Sequence, residues 1–490
     1  MTKRMLIVMI LPMLILGLAG MAQAWQGRMG GMGDPYGLIS DESDFFVNPA
    51  GIVKGEGIRF YGDYRFLYTG VTAWDVDFTS GAGVEVPSEM SGRELRHNVL
   101  VGAGFPLGPG RMGLFFTYDG RRGGFDGDLL GSTMGAEYTS DLDAFALRLL
   151  YGIPIGSFTL GGELGFAYRQ EENKSFVYAS DMSGGIVNIA LISPLFFPYS
   201  SPFMPYDSAY WEIPFKAGVA GAVGPLDVGL TARGGVIVAG DNTFRIESQA
   251  PVGVVTGRYD LDGDVQGWRI GGDLWVRYPL ARDLSLPFLV RVDYQDKTRD
   301  GDTAFPPYDY DNEESSLHLV VGGGLDKELA QGTRVSGGIY YGYLHDTADY
   351  SFTTPGPSIF TSSDYPDLTE HRGMVRLAGE HAFSPMVALR MGLEGFYGWA
   401  MQDLTFSLAP ATYDISSGGS HWGIGASLGG SIKVRPITLE PFFNVGYQSL
   451  DLSGDGKVSA GGVPTATFDR DDTRNQWNIG GGLSVLFDVP

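Results

Sequence analysis

No cysteine occurs among the 490 residues, so the chain has no disulfide framework, no thiolate-bound metal and no thioether-linked haem. Basic residues are scarce: 34 lysines and arginines against 57 aspartates and glutamates give a net charge of −23, which disfavours a nucleic-acid partner. The six histidines (His97, His318, His345, His371, His381 and His421) are scattered, without the spacing of a metal site or a catalytic triad. No phosphate-cradling glycine loop of the Walker type is present. These absences point away from an enzyme and from any cofactor. Beyond residue 24 there is no run of about 18 apolar residues, which excludes a membrane-spanning helix. Neither a collagen period nor a heptad is visible.

What the chain does have is glycine, 74 residues of it, with 13% aromatic and 43% hydrophobic residues, too apolar for a disordered polymer. Its first 24 residues read as a secretory signal peptide: Lys3 and Arg4, an apolar stretch from Met5 to Gly17, then Ala22-Gln23-Ala24 as a small-residue cleavage site. Export without a spanning helix leaves a periplasmic protein, a secreted one or an outer-membrane barrel.

The strand pattern decides among these. In "RHNVLVGAGFPLGPGRMGLFFTYD", residues 96–119, Val99, Val101, Ala103 and Phe105 alternate with Asn98, Leu100, Gly102 and Gly104. After the turn Pro106-Leu107-Gly108-Pro109-Gly110, Met112, Leu114, Phe116 and Tyr118 resume the apolar face. The same scheme recurs from Ile58, Phe60, Tyr64, Phe66 and Tyr68 to Trp477, Ile479, Leu483, Val485 and Phe487. About 16 such segments of about ten or more residues are counted, with 14 or 18 as alternatives; ten residues is what a tilted strand needs to cross a bilayer. Short turns alternate with long polar loops, and aromatics collect at strand ends (Tyr68, Tyr118, Tyr168, Tyr294, Tyr343, Trp399, Tyr447), where an interfacial girdle would place them. Soluble sandwiches have strands nearer five or six residues and no such asymmetry. The expected fold is all-β: a transmembrane antiparallel up-and-down β-barrel with short periplasmic turns and long extracellular loops, lipid covering its apolar face. The expected division is 1–24 signal peptide, 25–56 N-terminal periplasmic or plug segment, and 57–490 barrel.

The opposite face of the strands carries the charges. Arg59, Asp63, Arg65, Arg111, Arg148, Glu163, Arg169, Arg233, Arg269, Asp273, Arg277, Arg291, Arg334, Arg372, Arg376, Arg390 and Glu394 all fall there and are the candidate lumen-lining residues. Each would be costly on the lipid face, so their confinement to one face supports the register. Bases outnumber acids on this face although the chain is acidic. One reading is a lumen biased toward anionic solutes; the other is a self-neutralising network that stiffens the interior. About 16 strands enclose room for an aqueous channel unless something fills it.

A filling segment is at hand before the first strand. "DESDFFVNPAGIVKG" contains Asn48-Pro49-Ala50-Gly51, preceded by acidic and aromatic residues. This stretch resembles the N-terminal hatch motif of the long-chain fatty-acid transporter (FadL) family, outer-membrane barrels whose N-terminus plugs the lumen and which pass hydrophobic substrates. The resemblance implies that Asn48, Pro49, Ala50 and Gly51 belong to a hatch and not to a catalytic centre. At the other end, "NIGGGLSVLF" resembles the terminal signal read by the barrel-assembly machinery through Asn478, Gly480, Leu483, Val485 and Phe487, although Asp488-Val489-Pro490 replaces the usual aromatic terminus.

Two loop features complete the reading. Residues 171–210 are expected to form the longest loop, whose Leu195, Phe196 and Phe197 are apolar enough to capture a hydrophobic solute or to narrow the barrel mouth. The acidic loops are expected to form a solvated rim that divalent cations bridge to lipopolysaccharide phosphates. "DLSGDGKVS" puts Asp451, Ser453 and Asp455 at the spacing of the first half of a calcium loop, a weak candidate because Gly462 stands at the closing position. The function expected is therefore an outer-membrane channel or transporter of a Gram-negative bacterium, passing small solutes through an arginine-rich lumen, hydrophobic or anionic, with the N-terminal segment as hatch. Its partners would be outer-membrane lipid and lipopolysaccharide, the barrel-assembly machinery and the small solute. The alternative is a non-transporting barrel that anchors or scaffolds a surface or secretion partner.

Overall fold

The computed structural model describes residue 32 and residues 45–489 other than 81–84, 130–133, 180–185, 188–205, 250–254, 305–306, 331, 354–359, 409–410 and 461–462. A 3-10 helix, Pro49–Lys54, precedes the strands. The first strands are β1 (Ile58–Ser80), β2 (Glu85–Leu107), β3 (Gly110–Leu129), β4 (Met134–Ile155) and β5 (Phe158–Ala179). A two-residue β6 (Ile186–Val187) leads to β7 (Tyr206–Val223), β8 (Leu226–Gln249), β9 (Val255–Ala281), β10 (Leu284–Ala304) and β11 (Pro307–Ala330). The chain ends with β12 (Thr333–Thr353), β13 (Phe360–Ser384), β14 (Val387–Leu408), β15 (Ala411–Val434), β16 (Ile437–Ala460) and β17 (Val463–Val489).

Every long strand pairs antiparallel with its neighbours in sequence, β5 with β7 across the small β6, and β17 with β1. Sixteen long strands thus close an up-and-down barrel. The closing ladder runs from Ile58↔Val489 to Ser80↔Phe468, and Asp488, the residue that departs from an aromatic terminus, makes an ion pair with Arg59 on the opposite strand.

Seven two-residue turns join the strands at one end. Gly108, Gly156, Gly224 and Gly332 sit in four of them at φ between 59° and 80°, a left-handed conformation that glycine adopts without steric cost. The apolar face starts just above these turns and ends at a ring of cross-strand aromatic pairs. Tyr168 lies 4.9 Å from Trp211, Trp268 5.2 Å from Tyr294 and Tyr447 4.8 Å from Trp477, between ring centroids. Between the two levels the side chains of Leu164, Ile339, Ile424 and Phe443 point away from the lumen and stand exposed, while Leu100, Phe115 and Leu150 on the inner face are buried. Ile339 is 71% exposed and lies midway between Val335 and Tyr343. Ile339→Arg should destabilise the barrel in lipid by about 2–4 kcal/mol, read as a lower urea midpoint for loss of the folded form in vesicles. An unchanged midpoint would mean that this face does not meet hydrocarbon.

The strands are longer than the expected bilayer-crossing segments, 18 to 24 residues in most cases and 27 in β9 and β17. Much of what reads as loop is therefore strand: residues 171–179 extend β5 and 206–210 begin β7. The physical reason is that beyond the bilayer both faces of a strand are wet, so its outer half carries no apolar alternation to announce it. Leu195, Phe196 and Phe197 lie outside the described residues, as does the proposed signal peptide.

The calcium candidate falls in a strand. Asp451, Ser453 and Asp455 belong to β16, paired along β17 as Asp451↔Thr473 and Asp455↔Asp469. In an extended strand such alternate side chains stand in a row on one face and do not wrap an ion. Among the described residues no group of three or more His, Cys, Asp or Glu is placed to hold a metal.

Candidate functional site

Residues 45–54, just ahead of the first strand, lie inside the barrel. Asn48 caps the 3-10 helix, its Oδ1 accepting from the Ala50 amide at 3.0 Å, and Pro49 supplies a preset φ at the first helical position. The Asn48 side-chain amide then donates to the wall, to the carbonyls of Val219 on β7 (3.1 Å) and Leu230 on β8 (3.3 Å). From β7 the Lys216 Nζ donates to the Phe46 carbonyl at 2.6 Å. Phe45, Phe46 and Ile52 are buried with Tyr61, Leu100, Phe115 and Leu150 from the inner face of β1 to β4, the Phe46 and Phe115 rings meeting edge to face at 5.0 Å.

Bare backbone on the wall makes room for this contact. A Cβ at Gly161 would overlap the Ala50 amide nitrogen, and one at Gly218 would overlap Asn48 Oδ1. At Gly152 and Gly113 it would lie 2.7 and 2.5 Å from methyl groups of Ile52. On the far side of the lumen Met32 is buried with Leu289, Tyr340 and Ala378, its carbonyl against Gly392 of β14.

Most inward charges pair across strands. Glu163 sits between Arg148 (3.3 Å) and Lys216 (3.2 Å), and Glu212 between Arg169 (3.3 Å) and Arg269 (2.6 Å). Asp273, with a fully buried side chain, joins Arg233 and Arg291, and Arg233 reaches Asp293 at 2.6 Å. Asp326 takes Arg334 and, at 3.9 Å, Arg277. Arg390 spans Glu380 (2.6 Å) and Glu440 (3.0 Å). Arg372 pairs with Glu370 at 2.8 Å and Arg376 with Glu394 at 3.7 Å. Asp63 accepts from the Ser484 hydroxyl, and Arg111 donates to the carbonyls of Gly57 (2.6 Å) and Gly104 (3.0 Å). The Arg65 guanidinium lies 5.3 Å from the centre of the Phe442 ring. Of the two readings of these charges, the network of mutual neutralisation describes the lower lumen.

Two groups were not found by reading the sequence. His421 Nδ1 meets Glu370 at 2.8 Å, beside Arg372. Higher up, beyond the aromatic ring, Glu171 of β5 reaches Lys297 (2.7 Å) and Arg299 (2.8 Å) of β10, four strands away around the wall. Tyr210 donates to Glu171 at 2.7 Å. Burial and the Arg299 charge pull the Lys297 ammonium down to about 8, against the attraction of Glu171. Burial would raise the Glu171 carboxyl, but Lys297 and Arg299 hold it well below its ordinary value. The alternation Gln295, Lys297, Arg299 against Asp296 and Thr298 was the available signal, hidden because both sets are polar.

Above residues 45–54 a cavity of about 1050 Å³ opens. Nine arginines and lysines border it against five carboxylates. A second space of about 470 Å³ adjoins Phe46 and Val47, bordered by Arg148, Lys216, Arg233 and Arg269.

A closed antiparallel barrel with an apolar band outside and charges within is a transmembrane β-barrel. Neither a comparison with protein-family models nor one with curated proteins gives a match. Among solved structures it is similar to the P. putida toluene transporter TodX, 11% identical with a TM-score of 0.43, covering 96% of this chain and 99% of that one. A Pseudomonas aeruginosa FadL homologue is 10% identical with a TM-score of 0.44, over 96% and 99%. The Ralstonia pickettii toluene transporter TbuX is 11% identical with a TM-score of 0.39, over 96% and 100%.

Proposed function

We propose that this barrel passes small solutes across the outer membrane of a Gram-negative bacterium through its arginine-rich lumen, with residues 25–56 as the hatch. The observation that carries the reading is the contact of Asn48 with the carbonyls of Val219 and Leu230, made where glycines at 161 and 218 leave the wall bare. A structural anchor has no need of a lumen fitted to its own N-terminus, nor of a charged cavity above it. Sixteen strands without an obstruction leave a water-filled bore, so removal of the segment tests the idea directly. In planar bilayers the full-length protein should carry little current, and the protein lacking 25–56 (signal peptide retained for export) should conduct steadily. Silence from a correctly folded deletion variant would favour the anchor or scaffold.

A second reading, passage of hydrophobic solutes, has one observation in its favour. On the lipid face Phe116, Phe145, Leu147, Phe166, Tyr168 and Trp211 border an apolar hollow of about 430 Å³. Beside it Gly165 and Phe166 of β5 face Ile213 and Pro214 of β7 without ladder pairing, Pro214 having no amide hydrogen to give. Replacing Leu195, Phe196 and Phe197 by serine should reduce uptake of a hydrophobic solute if this reading holds; unchanged uptake would exclude outer-loop capture.

A further inference from the structure

We infer that the outer cavity binds hydrophilic oxyanions carrying two or more negative charges. This rests on the reading above that solutes pass through the lumen. Arg96 of β2 and Arg121 of β3 are directly opposed in the ladder, and both border the cavity. Like charges so placed repel unless an anion lies between them. Glu94 supplies one carboxylate, in contact with Arg96 and 4.0 Å from the Arg121 Nε. Arg65 of β1, level with Asn98 two residues along from Arg96, brings a third guanidinium to the same space.

The neutral groups lean the same way. Arg474 donates to the Gln476 side-chain oxygen (3.2 Å), and both Gln476 (3.1 Å) and Thr69 (2.8 Å) donate to the Asn478 side-chain oxygen. The Asn478 oxygen thereby has both lone pairs engaged and the Gln476 oxygen one of its two, so along this row of side chains donor hydrogens outnumber open acceptor sites. A hydrocarbon here would strip water from guanidinium and amide hydrogens without replacing its hydrogen bonds. A phosphate, a sulfate or a pair of neighbouring carboxylates would replace them with charge-assisted bonds, and guanidinium forks match such oxygens two at a time. The cavity thus inverts the sign of the whole chain and selects for charge density.

Calorimetric titration of the full-length protein in neutral detergent with inorganic pyrophosphate, at fixed ionic strength, tests this, with benzoate as the hydrophobic monoanion. Pyrophosphate should bind and benzoate should not compete. The Arg96→Gln/Arg121→Gln variant should weaken pyrophosphate binding by about tenfold or more. Glu94→Gln should tighten it several-fold by removing the resident competitor, an effect that a merely structural role for Glu94 does not produce. No pyrophosphate binding, equal affinity in the arginine variant, or displacement by benzoate would each overturn the inference. Bilayer current from the barrel lacking 25–56 separates the two readings. Conduction without pyrophosphate binding leaves the transporter standing and removes the anion site; binding in a barrel that never conducts does the reverse.

Discussion

Gly161→Val should open the barrel. The Gly161 α-carbon faces the lumen where Pro49 and Ala50 press against the wall, and a side chain there would overlap their backbone. Backbone cannot swing aside as a flexible side-chain tip can, and the wall strand is held by ladder bonds to β4 and β7 on both sides. The segment is therefore what moves. With it go the Asn48 bonds to Val219 and Leu230 and the Lys216 bond to the Phe46 carbonyl, a loss of roughly 0.5–1.5 kcal/mol for each neutral bond and more for the charged donor. Current in planar bilayers should rise on the order of tenfold, toward that of an unobstructed bore of this size. The neighbouring Gly162 provides the control. It points to lipid, where an added Cβ meets nothing nearer than the Lys216 carbonyl at 3.9 Å, so Gly162→Val should leave the current as it was. Equal behaviour of the two variants would show that the segment is not seated against this wall.

Asp273→Leu should cost about 3 kcal/mol of stability, the lower end of the penalty for breaking a buried ion pair. The Asp273 side chain is fully buried and joins Arg233 of β8 to Arg291 of β10. Removing it leaves Arg233 with Asp293 but takes from Arg291 the carboxylate 2.5 Å away. Water from the lumen reaches a third of the Arg291 side chain, which is why the cost falls at the low end. Asp293→Asn should cost under about 1 kcal/mol, because Asp293 is 40% exposed and its pair is correspondingly screened. The urea midpoint at which the compact band disappears on an unheated gel ranks the two. If Asp293→Asn proves as damaging as Asp273→Leu, burial does not govern these pairs.

These two residues show where sequence reading reaches and where it stops. That Gly161 and Asp273 lie on the inner face follows from counting by twos from Leu160 and Leu274, since neighbouring side chains in a strand point oppositely. That Gly161 is a seat for Ala50 does not follow, because a glycine under a plug and a glycine beside empty water look the same in a string of letters. Likewise the alternation puts Arg233, Asp273 and Arg291 on one face, but their pairing depends on the stagger of β8, β9 and β10. The N-P-A-G stretch was legible by its resemblance to a hatch motif; that its asparagine caps a 3-10 helix and hydrogen-bonds a wall some 170 residues later in the chain was not. The outer half of each strand was misread as loop, Glu171, Lys297 and Arg299 among it, for want of any contrast between its two wet faces.

From the letters alone follow the barrel, its apolar exterior, the short turns at one end and the inner side of the charges on the bilayer-crossing half of the strands, because all of these rest on a local period of two and on turn chemistry. Only the folded barrel shows which charges neutralise one another, which remain in excess above residues 45–54, and which bare positions receive those residues. The reason is that closing sixteen strands sets a stagger that no single strand encodes, and contacts across a lumen join residues whose separation along the chain carries no signal.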